Sequence, residues 1–200
     1  MAGVAIVHHA TLVPSKLQAL QAWLPSQSWF TGDASDLELV GQFRFVDPDG
    51  EVGLQTMLVT SQGELYQVPL SYRDAPLEGA DSALICTMEH SVLGTRWVYD
   101  SLADPVYAAE LLRTIVEADT GAETSTGSEQ TQVEGSGAAG VELVGGTRQG
   151  DDLLVYGSYT VHVPRHPDDA EPTDALGILT AEVTIDGDDL TLVLAELRSA

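Results

Sequence analysis

The first apolar pattern along the chain has helical spacing. Leu17, Leu20 and Leu24 recur at i, i+3 and i+7, one face of a helix. Pro14 and Ser15 precede that face and Pro25 follows Leu24, so the pattern predicts a short helix closed or kinked at Pro25. The period then changes to two. Leu37, Leu39, Phe43 and Phe45 alternate within residues 37–46, which predicts a strand carrying all four on one side. Residues 47–50, Asp-Pro-Asp-Gly, are a turn in which Pro48 pre-sets φ and Gly50 relaxes the exit. Strands are expected again over residues 52–60 and 64–72, and in the second Tyr66, Val68, Leu70 and Tyr72 share a face. Pro69 has no N–H for a ladder, which predicts an edge strand or a bulge there. Residues 83–90 and 95–102 supply two more strands. A second helix starts at Asp104-Pro105, with Asp as N-cap and Pro at N1, and Ala108, Leu111, Leu112 and Ile115 form its apolar stripe. Two helices segregated from a run of strands predict an α+β domain, an antiparallel sheet with two packed helices, over residues 1–118.

Residues 119–140 change the pattern sharply. They are rich in Gly, Ser, Thr and Glu with almost no large apolar side chain, the composition of a flexible acidic linker. Beyond it, residues 141–200 read as a small mostly-β subdomain. Strands are expected at 141–146, within 152–164, at 176–185 and at 190–197, with residues 186–189 (Asp-Gly-Asp-Asp) as a hairpin turn. Sixty residues make a marginal core, so docking against the first domain is expected.

Charge narrows the function. Thirty-one acids against 8 bases give a formal net charge of -23. Nucleic acid and anionic membrane surfaces are disfavoured, because binding phosphates needs a basic footprint. The acidity serves solubility instead. Lys16 is the one lysine. No stretch reaches a membrane span, and the N-terminal apolar run lacks the basic flank of a signal peptide, so a cytoplasmic protein is expected. Cys86 stands alone in an apolar run and reads as a small buried hydrophobe rather than a nucleophile.

Few constellations suggest chemistry. His8 and His9 are adjacent and would point to opposite sides of a strand. His90, His162 and His166 are isolated, so no metal site is expected. Residues 186–189 resemble the start of a calcium loop but lack its later ligands. Residues 145–150, Gly-Gly-Thr-Arg-Gln-Gly, could cradle a phosphate through Gly145, Gly146 and Arg148. Asp151 and Asp152 follow at once and would repel one, so a simple turn is favoured and no cofactor is expected. Trp23 and Trp29 lie in one stretch of ten residues, Trp-Leu-Pro-Ser-Gln-Ser-Trp-Phe-Thr-Gly. Trp23, Trp29 and Phe30 read as a helix end pinned into a core, with a sugar-stacking platform as the rival.

That stretch also carries a resemblance. His9, Thr11, Leu12, Pro14, Lys16, Leu17, Trp23, Leu24, Gln27, Trp29 and Phe30 fit the opening motif of the N-terminal cap of actinobacterial maltokinases, with Ser28 in place of the usual Arg. Residues 66–85 and 96–112 are similar to the cap's later strands and closing helix, so the resemblance covers roughly residues 6–118. It implies a cap packed on the nucleotide-binding lobe of a kinase that phosphorylates maltose with ATP and magnesium, feeding glycogen or α-glucan synthesis. Residues 142–166 resemble a degenerate form of that lobe, with His162 where the family places a lysine, and the catalytic Asp and magnesium ligands of the large lobe have no counterpart here. The expectation is a protein without catalytic residues of its own, an accessory or regulatory protein of α-glucan metabolism whose partner is a protein of that pathway. A carbohydrate-binding module using the cap aromatics, and part of a kinase completed by a partner chain, are the alternatives.

Overall fold

The structure is a computed structural model and describes residues 3–200. The chain runs β1 (Val4–Ala5), β2 (Leu12–Val13), α1 (Lys16–Trp23), β3 (Glu38–Val46), β4 (Gly53–Ser61), β5 (Glu64–Arg73), β6 (Leu84–His90), β7 (Gly94–Asp100), α2 (Pro105–Val116), β8 (Glu123–Thr124), β9 (Gln132–Gly135), β10 (Thr147–Gln149), β11 (Leu153–Tyr156), β12 (Tyr159–His162), β13 (Gly177–Ile185) and β14 (Asp188–Ser199). It is α+β. One six-stranded sheet has the order β2-β6-β7-β5-β4-β3, a second has β10-β11-β12-β14-β13-β9, and β1 pairs with β8.

Both helices begin where their caps require. Ser15 caps α1 in a reciprocal capping box with Gln18, and Pro25 ends its regular part in a 3-10 turn over Leu24–Ser26. Asp104 caps α2 by accepting from Val106 N, with Pro105 at the first helical position. The α2 stripe of Ala108, Leu111, Leu112 and Ile115 is fully buried.

The first sheet is covered on both faces. Phe43, Phe45, Leu54 and Leu58 face a core shared with α2 and with Leu154, Val161, Leu179, Leu192 and Leu194 of the second sheet. On the opposite face Met57, Val59, Tyr66, Val68 and Leu70 pack under Leu20 and Leu24 of α1. Burial on both faces makes β4 almost continuously buried. The second sheet is different. In β13, Gly177, Leu179, Ala181 and Val183 are buried, Ile178 and Thr180 are partly exposed and Glu182 and Thr184 are exposed, so one face is packed and the other meets solvent.

Four expectations are corrected. The linker over residues 119–140 is instead a packed segment. β9 pairs with β13, Val133 and Ala138 enter the shared core, and Gly121 N donates to Val133 O. Small residues serve close packing here. A Cβ on Gly135 would lie 2.0 Å from Thr114 O of α2, so only glycine lets β9 approach that helix. Second, Leu37, Leu39, Phe43 and Phe45 do not share a side. A register shift between Leu39 and Gly41 inverts the alternation, placing Leu37 in the α1-side core and Phe43 in the other, with Leu39 45% exposed. Third, β5 lies inside its sheet. It pairs with β7 only from Leu70 onward, so Pro69 falls just outside the stretch where that neighbour would need its N–H. Fourth, residues 141–146 form no strand: Leu143 and Val144 are exposed, and pairing begins at Thr147.

Several other readings agree with the structure. Tyr66, Val68, Leu70 and Tyr72 lie on one face of β5. Asp186 and Gly187, both at positive φ, turn β13 into β14. Asp47 closes the 47–50 turn by accepting from the backbone N–H groups of Asp49, Glu51 and Val52.

Candidate functional site at the junction of the two sheets

The aromatic stretch after α1 lies where the two sheets meet. Trp23 and Trp29 stand edge to face with ring centroids 5.8 Å apart. Phe30 packs on Tyr66 of β5 at 4.8 Å, and Tyr66 packs on His166 at 4.7 Å. The guanidinium of Arg165 sits 4.9 Å from the centroid of the Trp29 ring, and His166 Nε2 lies 2.9 Å from the Trp29 carbonyl oxygen. Trp23, Trp29 and Phe30 are half-buried. They pack against one another, against Tyr66 and against Arg165.

Beside the aromatics lies a buried charge cluster. Asp100, at the end of β7, is 1% exposed, and Arg165, just past β12, is 4% exposed. Arg165 Nη2 donates to Asp100 Oδ2 at 2.6 Å, and Arg148 Nη1 approaches the same oxygen at 3.1 Å. Arg165 Nε donates to Asp151 O at 2.8 Å. Gln67 completes the seam from β5. Its backbone N–H donates to Arg165 O, and its side-chain amide donates to Pro164 O and Leu194 O at 3.0 and 2.9 Å.

The glycine-bearing loop over residues 145–150 borders this cluster. Arg148 is held by Asp100, by Asp151 at 3.3 Å and by the carbonyl of Gly150 at 2.7 Å. A Cβ on Gly146 would lie 2.3 Å from the Tyr156 ring, so Gly146 serves ring packing, while Gly145 faces open space. A shallow cavity of about 230 Å³ lies between Leu102, Asp104, Pro105, Gly146 and Arg148. His162 is half-exposed on β12 with Nε2 3.3 Å from Asp152 Oδ2. A larger open groove, about 780 Å³, runs between β3 and the β13–β14 hairpin and carries Glu129, Glu182 and Asp189. Cys86 is half-buried against the α1-side core, and burial pushes its thiol pKa up. The His8 ring stands edge to face with His90 at 5.9 Å. Among the described residues no group of three His, Cys, Asp or Glu side chains could hold a metal ion, and no helix is long and apolar enough to cross a membrane.

Sequence reasoning identified Trp23, Trp29, Phe30, Gly145, Gly146, Arg148 and His162. The structure brings the aromatics and Arg148 to one junction through Arg165 and Asp100, neither of which the sequence singled out. Their pairing spans sixty-five positions, and no local period marks it.

Residues 23–104 match the family model of the maltokinase N-terminal cap domain. The chain resembles that cap. The matched span opens at Trp23 and closes at Asp104, so it holds the aromatic stretch and nearly all of the first sheet. Most of α1, all of α2 and the whole second sheet lie outside it. Within the matched span, Asp100 contacts Arg165, Tyr66 contacts His166, and Gln67 contacts Arg165, Pro164 and Leu194. No curated protein gave a significant match to the chain.

Proposed function

We propose that this chain is a non-catalytic accessory or regulatory protein of α-glucan metabolism, a maltokinase-type cap docked on a β unit that does not bind nucleotide. One observation carries the non-catalytic part. Arg148, the cation of the loop that could cradle a phosphate, is engaged by Asp100 and Asp151. Phosphoryl transfer needs a free cation and a donor-rich loop opposite the triphosphate. At the strand position of the family's lysine stands His162, its Nε2 3.3 Å from Asp152 Oδ2. The cap match supports the metabolic setting. The contacts of Trp23, Trp29 and Phe30 with one another, with Tyr66 and with Arg165 favour packing over a sugar platform.

Calorimetry with MgATP tests this, together with an assay for maltose 1-phosphate from maltose and ATP. The expected result is neither binding tighter than about millimolar nor product. Micromolar MgATP binding lost on His162→Ala would return the chain to the nucleotide-binding class. Immobilised protein exposed to purified maltokinase-pathway enzymes tests the accessory role, which requires at least one of them to bind.

A further inference from the structure

On the α1-covered side of the first sheet, three donors from separate elements converge on one atom. Lys16 Nζ of α1 donates to Gln55 Oε1 at 2.6 Å, Arg44 Nη2 of β3 at 3.0 Å and the Tyr72 hydroxyl of β5 at 3.3 Å. An amide oxygen has two lone pairs, so three donors exceed what it can satisfy. The orientation of that amide is fixed on its other side, where Gln55 Nε2 donates to Gln42 Oε1 at 2.7 Å. Gln55 is buried at 1% exposure, and Lys16, Arg44, Tyr72 and Gln42 around it are each partly buried.

The charges there are unbalanced. Arg73, Arg113, Arg148, Arg165 and Arg198 each hold a carboxylate. Lys16, Arg44 and Arg96 hold none among the described residues; Arg96 donates to the Leu93 carbonyl, whereas Lys16 and Arg44 lie close enough to repel one another. In a chain with 31 acids and 8 bases, a partner was available in composition and was not placed. The neighbouring titratable groups do not supply one. They are Tyr72 on β5, Cys86 and His90 on β6, and, acting on His90, His8 and Arg96. Burial pushes the Tyr72 phenol up, so it stays a donor. Two cations and a hydroxyl converging on one oversubscribed acceptor, without a carboxylate, complement an oxygen-rich dianion. A monocarboxylate would leave one of the two charges uncompensated.

We propose that Lys16, Arg44 and Tyr72 form a binding site for a dianionic phosphate group, free or as a small monoester. Lys16 supplies a point charge, Arg44 a planar pair of donors and Tyr72 a neutral donor. Ligand binding is linked to protonation. Burial, and then the charge of Arg44, lower the Lys16 pKa to about 7. A bound dianion favours the ammonium and raises that value again, so binding above neutral pH takes up a proton.

The test uses the full chain in low-salt buffer, titrated calorimetrically with inorganic phosphate, methyl phosphate, sulfate and acetate. Phosphate, methyl phosphate and sulfate should each saturate one site, and acetate should bind at least about tenfold more weakly. Equal affinities for phosphate and methyl phosphate identify the phosphate group itself as the ligand, and tighter binding of the ester identifies a monoester. Sulfate stays a dianion throughout, so its affinity should fall about fourfold from pH 7 to about pH 8.5 as Lys16 loses its proton. Lys16→Met and Arg44→Met should each weaken phosphate at least about tenfold, and Arg198→Met on the second sheet should not. One readout needs no variant. With one lysine in the chain, lysine labelled at its ε-carbon gives one resonance, whose titration midpoint should rise by about one pH unit under saturating sulfate. Absence of saturable dianion binding, acetate binding as tightly as phosphate, or an unmoved Lys16 midpoint would each overturn the proposal.

Discussion

Two cationic clusters flank the first sheet, and they are built in opposite ways. At its junction with the second sheet, Arg165 and Arg148 share the carboxylate of Asp100, deeply buried and with contacts of 2.6 and 3.1 Å. On the α1 side, Lys16 and Arg44 share a neutral amide oxygen and are partly buried. The first cluster joins β7 to the segment after β12 and pairs its arginines with carboxylates of the chain, although Arg165 Nη1 is buried without an acceptor. The second joins α1, β3, β4 and β5 and leaves its positive charge without a carboxylate among the described residues. Removing a member of the first strands charge in the interior, whereas removing a member of the second relieves repulsion.

The sharpest way to break this comparison is Asp100→Ala. It leaves Arg165 buried and Arg148 half-buried without their shared anion, and should destabilise the fold by about 3–5 kcal/mol in urea denaturation. A loss below about 1 kcal/mol would mean the junction does not depend on this pairing. Trp29→Ala removes the ring against which Arg165 lies and should cost about 2–4 kcal/mol, somewhat less than a fully buried Trp would. An unchanged melting temperature with loss of sugar binding would favour the stacking platform.

The second cluster should respond with the opposite sign. The Lys16 pKa is lowered in the folded state to about 7 from 10.5, so between those values the unfolded chain binds more protons and stability rises with pH. Lys16→Met removes the charge, and Gln55 Oε1 keeps two donors. It should therefore stabilise the protein by about 1–2 kcal/mol at pH 6, with the gain fading as pH rises through the Lys16 pKa range. Destabilisation at pH 6 would show that Lys16 is compensated after all.

The smallest effect sharpens the paired side. Burial pushes the Asp119 carboxyl up, but hydrogen bonds from Arg113 and from the Thr120 backbone bring its pKa down to about 2. Its contribution should be fully present above pH 3.8 and disappear as pH falls through about 2. Asp119→Asn should cost about 1 kcal/mol at pH 7, after allowance for solvent screening, and nothing at the acid end. Denaturation curves at pH 7 and in strong acid measure both.

The sequence by itself determined what local chemistry determines. Capping residues, prolines and i, i+3, i+7 spacing set both helices, period-two alternation set β5, and Asp186-Gly187 set the last hairpin. The cap motif was legible through its aromatics, and residues 23–104 match the cap family. Tertiary structure decided the rest, because the deciding partners lie far apart in sequence. The register shift between Leu39 and Gly41 depends on which core each side chain meets. The glycine-rich stretch over residues 119–140 is indistinguishable in composition from a linker until α2 lies against Gly135, where a side chain would collide with Thr114 O. Asp100 and Arg165 have no local signature, and neither does the meeting of Lys16, Arg44 and Tyr72 on one amide oxygen. Hydrophobic periodicity reports which face of an element is buried, and carries no information about which distant charge comes to stand beside it.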